Sequence, residues 1–158
     1  MNLFGSKQTK GLQTFEEVRN YLNNIDSINR GGCGISALSM YRWLKKHGQT
    51  TEHTAFYFLD NDSSNHENNQ EYFTNKEVVL RASSHIVLLH NDQTIDSTGF
   101  HSINDYDYNF LEKSEEYLLA MINNVWTWNY KFERKAHVKN IAKTLGINLT
   151  DVQITHAW

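Results

Sequence analysis

The sequence predicts an α+β fold in which helices pack on an antiparallel sheet. Three observations predict it. Helix signals open the chain: Thr14 with Glu17 three residues on, and Gly48 just past a run with helical apolar spacing. The middle carries short runs rich in β-branched and aromatic residues, such as Thr54–Leu59 and His85–Leu89, with polar turn residues between them. Helical spacing then returns after about Ser114. Helices first and a strand-rich middle argue against a regularly alternating parallel sheet.

In chain order, Thr14 and Glu17 form a capping-box start for a helix through about Ile25, with Phe15, Val18, Tyr21 and Leu22 on one face. The polar stretch Asp26–Gly32 ends in a Gly-Gly pair and reads as a loop. A second helix runs from about Cys33 to His47, its apolar stripe made by Ile35, Leu38, Tyr41 and Leu44. Lys45, Lys46 and His47 in the last turn suit the helix dipole. Thr54–Leu59 is expected as a strand and Asp60–Gln70 as an exposed polar loop. His85–Leu89 and Thr94–Ser97 are expected as a hairpin turning at Asn91-Asp92. Ser114–Asn123 reads as a helix, Val125–Phe132 as a strand and Glu133–Leu145 as a further amphipathic helix. There is no internal repeat and no evident linker. The expectation is therefore a single domain over 1–158, large enough to bury a full core without covalent staples.

Composition narrows the function classes. Hydrophobic residues make up 39% and aromatics 13%, well above a disordered chain. No stretch approaches the roughly 18 consecutive apolar residues of a membrane span, and Met1–Lys7 lacks a signal-peptide pattern. A soluble, cytoplasmic protein is expected. The net charge of −3 gives no pull toward nucleic acid or an anionic membrane. The single cysteine excludes an internal disulfide and a Cys-rich metal site. Absence of proline, with abundant Asn, Lys and Ile, suggests an AT-rich genome such as that of a phage or low-GC bacterium, which would place the protein in host cytoplasm if phage-encoded.

The informative stretch is Asn29-Arg30-Gly31-Gly32-Cys33-Gly34-Ile35-Ser36. Thiols attack carbonyls as thiolates, and an ordinary thiol with pKa about 8.5 is mostly protonated at neutral pH. In the first turn of a helix a cysteine meets unpaired amides and the positive end of the dipole. Those amides can also hold the negative oxygen that develops on a carbonyl under attack. Gly32 and Gly34 leave room for a substrate backbone. Cys33 is thus the candidate nucleophile, with Asn29, Gly32 and Gly34 as candidate oxyanion and substrate-binding positions. A base and its orienter are found downstream. His85 begins one strand and Asp96 lies near the end of the next, so a turn at Asn91-Asp92 brings them roughly opposite each other. The carboxylate can then fix the imidazole tautomer and favour an imidazolium beside a thiolate.

This order resembles the papain-like and transglutaminase-like cysteine enzymes. Gly31-x-Cys33, Ala37, Lys45-Lys46-His47-Gly48, His85 and Ile95-Asp96-Ser97-Thr98-Gly99 follow the layout of the transglutaminase core across roughly residues 29–99. The resemblance implies a papain-like or transglutaminase-like core with the cysteine at a helix N-terminus and a Cys33–His85–Asp96 triad. It implies attack on an amide or ester bond through a thioester intermediate, as in a peptidase, deamidase or acyltransferase. The expected substrate is a protein, a peptide or a small amide or ester, with no cofactor and no metal. Papain-type peptidases carry a glutamine shortly before the cysteine. None stands in this loop, which leaves Asn29 or backbone amides for the oxyanion.

Other readings compete. His85, His90, Asp92 and His101 could form a zinc or iron site, though no tight ligand spacing supports it. Trp126, Trp128, Tyr130 and Phe132 alternate and could form a stacking platform, but such a stripe is more often core. His47, His53, His66, His137 and His156 read as surface residues. Val138–Val152 resembles a helix-turn-helix, yet its would-be recognition helix Thr150–Trp158 has no Lys or Arg for phosphates or bases. The alternatives are thus a non-catalytic binding protein that keeps the fold, or a DNA-binding protein using that segment.

Overall fold

The computed structural model describes residues 12–29, 31–60, 83–97, 99–102, 109–124 and 132–154. Helix α1 (Phe15–Asn23) starts at the expected capping box: Glu17 N–H donates to Thr14 Oγ1 at 3.1 Å, and Thr14 N–H donates to Glu17 Oε1 at 2.9 Å. Val18 and Leu22 of its apolar face are fully buried. Helix α2 (Cys33–Lys46) follows a turn-rich loop, is capped at His47, and stops where Gly48 takes a φ of +65°. That left-handed conformation suits glycine, and Gln49 N–H closes the end by donating to Leu44 O at 2.8 Å.

Strands β1 (Ala55–Asp60), β2 (Ser83–His90), β3 (Gln93–Asp96), β4 (Gly99–Ser102) and β5 (Asn109–Lys113) form one antiparallel sheet in the order β4-β3-β2-β1-β5. The expected hairpin joins β2 to β3. Asn91 and Asp92 both carry positive φ, +50° and +70°, as a two-residue turn matched to strand twist requires. Strands β4 and β5 were not evident in the sequence.

Register builds the apolar layer. Phe56 pairs with Leu88, Phe58 with Ile86, and Leu88 with Ile95, and all five side chains are buried. Phe56 packs on Tyr41 of α2, ring centroids 5.0 Å apart. Phe58 meets Tyr117 of α3 (Glu115–Asn124) edge-on at 5.8 Å. Helix α2 is the hub: it packs against α1, α3, β2, β3 and α4 (Arg134–Leu145). Its residues Cys33 to Met40 are all buried, as are Trp43 and Leu44. Burying four or five large side chains from one helix is worth several kcal/mol, so α2 holds a fixed position against the sheet.

The C-terminal stretch departs from a helix-turn-helix. After α4 ends at Gly146, φ +68°, residues Thr150–Ile154 form turn and irregular backbone, not a helix. Arg42 explains the shape. Its guanidinium grips Asp151 through two bonds of 2.7 and 2.8 Å and donates to Asn148 O at 2.8 Å, while Leu149 and Val152 are buried. Residues 155–158 lie outside the described residues. Arg134 donates to Gln153 O at 3.0 Å and to Ile122 O, tying the same stretch to α3. Of the expected strand Val125–Phe132, only Phe132 is described. It is a buried residue at the bend before α4, so the platform of Trp126, Trp128 and Tyr130 lies outside the described residues, as do most of the loop Asp60–Gln70 and His66 and His156. His53 and His47 are exposed, although His47 stacks on Trp43 at 4.0 Å. His137 is half-buried and stacks on Phe132 at 5.5 Å. No helix among the described residues is long and apolar enough to cross a membrane.

Candidate active site

Cys33 is the first residue of α2 and is 7% exposed. The amides of the first turn of a helix have no intrahelical acceptor, which makes this end of the helix electropositive. The N-cap, Gly32, has no side chain to cap them, and Gly31 before it holds a φ of +104°.

His85 lies near the start of β2. The β1–β2 register shifts beside it: His85 pairs with Leu59, whereas Asp60 pairs with Ser83. Ser84 is thus the extra residue of a bulge, a device that re-aims neighbouring side chains. The imidazole Nε2 lies 2.9 Å from Asp96 Oδ2. The Cys33 side chain also acts on this ring, raising its affinity for a proton. Burial by itself lowers the affinity of this imidazole for a proton. The hydrogen bonds to Asp96 and Cys33, with the charge of each, outweigh it and push His85 up to about 10. That direction favours the imidazolium.

Asp96 closes β3, and its position refines the expectation of a partner directly opposite His85. Leu88 pairs with Ile95, so one step further puts Asp96 level with Val87. His85 is two residues along from Val87 on the same face, a diagonal neighbour within reach of longer side chains. Asp96 is itself buried at 8% exposure, and it is bound to the imidazole, which goes beyond the role of a turn cap.

The other candidate positions divide. Asn29, exposed in the loop before α2, accepts through Oδ1 from Ser97 Oγ at 2.9 Å. Gly34 is buried in the first turn of α2. Gly32 does not leave room for a substrate: a Cβ there would stand 2.6 Å from Ile28 O and 2.9 Å from the Phe132 ring. The protein itself fills that space. Ser97, 2% exposed and adjacent to Asp96, was not evident as a site residue, because its partner is 68 positions away in the chain.

The metal grouping is not assembled among the described side chains. His85 is held by Asp96, and His90 by Thr54 Oγ1 at 2.8 Å and Asn91 Nδ2 at 3.3 Å. Burial lowers the His90 pKa. Asp92 is exposed at the turn, and the His101 side chain lies outside the described residues. Among the described residues no three His, Cys, Asp or Glu side chains are grouped to hold a metal ion.

The arrangement thus puts a cysteine at the start of a helix and an imidazole that a buried carboxylate holds. Comparison with protein-family models, with curated proteins and with solved structures finds no match to this chain.

Proposed function

We propose that this protein is a cysteine-dependent hydrolase or acyltransferase, with a papain-like or transglutaminase-like arrangement, acting on an amide or ester bond of a protein, a peptide or a small molecule. The observation that carries the reading is the His85 imidazole bound to the buried Asp96 at 2.9 Å, with the Cys33 side chain raising its proton affinity. Cys33 sulfur attacks the carbonyl carbon, its proton resting on His85. The carbonyl oxygen becomes an oxyanion that the Cys33 amide and Asn29 receive. On collapse the C–N or C–O bond breaks, and the leaving amine or alcohol takes the proton from His85. A thioester remains on Cys33. Water or an amine then gives a proton to His85 and attacks the thioester, which releases a carboxylic acid or a new amide and restores the thiol.

The test uses p-nitrophenyl acetate as a minimal acyl donor. The expected result is a burst of p-nitrophenolate, one per protein, with an acetyl group mapped to Cys33 by mass spectrometry. No burst, or acetylation no faster than that of a free thiol, sinks the reading.

A further inference from the structure

One hydrogen bond joins the two limbs of the candidate site. Ser97 follows Asp96 in sequence, and its Oγ donates to Asn29 Oδ1 at 2.9 Å, four residues before Cys33. The hydroxyl is buried, whereas Asn29 is exposed. A hydrogen bond to the carboxamide oxygen restrains its orientation and leaves its two N–H donors available. Among the described residues no acceptor holds Asn29 Nδ2.

We propose that Ser97 is a positioning residue: by anchoring Asn29 Oδ1 it presents Asn29 Nδ2–H, together with the Cys33 amide, to the oxyanion formed when Cys33 attacks a carbonyl. The inference rests on Cys33 being the nucleophile. It adds a residue whose effect is confined to steps that pass through an oxyanion. A preorganised donor is effective because it needs no rearrangement as charge develops.

Two reagents separate this role from a structural one. Iodoacetamide alkylates sulfur at a saturated carbon: the S–C bond forms, the C–I bond breaks, iodide leaves, and no oxyanion arises. With p-nitrophenyl acetate, sulfur adds to the carbonyl through an oxyanion, and p-nitrophenolate leaves with the C–O electron pair. Ser97→Ala should slow acetylation of Cys33 about tenfold, the scale of one weakened donor, and leave alkylation unchanged. Asn29→Ala, at an exposed position that the fold tolerates if Ser97→Ala does not, should show the same split. Ser97→Thr keeps the hydroxyl and should acetylate near the wild-type rate. The double variant Ser97→Ala/Asn29→Ala should be no slower than Asn29→Ala alone, since Ser97 acts only through Asn29. Equal slowing of both reactions, additive losses, or acetylation at the wild-type rate in the single variants overturns the proposal while leaving Cys33 as nucleophile. Wild-type Cys33 that fails to acetylate overturns the underlying reading, and this inference with it.

Discussion

His85 Nε2 and Asp96 Oδ2 are 2.9 Å apart on neighbouring strands, held two residues out of direct register. A diagonal pair is reached by side-chain length, so it is sensitive to the group at its end. Asp96→Asn keeps an acceptor oxygen for Nε2–H and loses the charge that favours imidazolium. Acetylation of Cys33 should fall about tenfold, roughly the difference between a charged and a neutral hydrogen bond. Asp96→Ala loses both and should fall about 100-fold, and His85→Ala at least as far. Cys33→Ala should abolish the reaction and barely move the melting temperature. Rates from stopped-flow p-nitrophenolate release decide the order. Wild-type rates in Asp96→Ala with none in Asp92→Ala would mean the other carboxylate is the orienter.

The His85 charge also sets a pH dependence. Its folded pKa is pushed up to about 10, above the roughly 6.5 of an unfolded histidine. Protons are therefore bound more tightly by the folded state. The stabilisation is present in full below about pH 6.5 and is lost as pH rises through about 10. The melting temperature of wild type should exceed that of His85→Ala most at pH 6 and least at pH 10. Ring nitrogen chemical shifts should show His85 still protonated at pH 8, with Asp96→Asn titrating at lower pH. A ring that is neutral at pH 7.5 contradicts the charged pair.

How much of this was legible in the sequence depends on how local each signal is. The Thr14–Glu17 box, the Gly48 stop and the Asn91-Asp92 turn are written within four residues each, and each formed as read. Chain order and parity brought His85 and Asp96 to neighbouring strands on one face. The diagonal offset was not legible, since register depends on where the ladder closes, nor was the bulge at Ser84. Strand β5 pairs with β1 some fifty residues away, and its five residues carry no alternation strong enough to stand alone. The contact of Ser97 with Asn29 and the filling of Gly32 by Phe132 are tertiary facts with no local trace. The described part of the apparent second helix, Thr150–Ile154, is turn and irregular backbone, and the grip of Arg42 on Asp151 within it is a contact that local spacing does not record.

Arg42 is the clearest case for a stability test away from the site. Its Nε donates to Glu115 Oε2 at 2.8 Å while the fork grips Asp151, joining α2, the start of α3 and the C-terminal stretch. Lysine cannot reproduce that planar fork. Arg42→Lys should cost about 1–2 kcal/mol in urea unfolding, the range for charged hydrogen bonds that are partly solvent-exposed. Alkylation of Cys33 should be unaffected, because the pair sits at the other end of α2. A neutral Arg42→Lys would make these surface ion pairs of no consequence.

Gly32 predicts the largest single loss, and a double variant shows why. A methyl group there meets the Ile28 carbonyl oxygen at 2.6 Å and the Phe132 ring at 2.9 Å, both closer than a Cβ contact can be. Gly32→Ala must move one of them or the start of α2, and overpacking of this kind costs about 1–3 kcal/mol. Because Cys33 is the next residue, its sulfur should shift against His85, and both alkylation and acetylation should slow. Gly48→Ala is the control. Its φ is +65° but nothing lies within 4 Å of the added carbon, so only backbone strain of about 1 kcal/mol is expected, with no effect on Cys33. Phe132→Ala removes the flexible half of the clash at Gly32 and none of the other half, since the Ile28 oxygen belongs to the backbone. The double variant Gly32→Ala/Phe132→Ala should therefore remain slow to alkylate. Recovery of the wild-type rate in that double variant would show that the ring alone, and not the loop carbonyl, keeps position 32 a glycine.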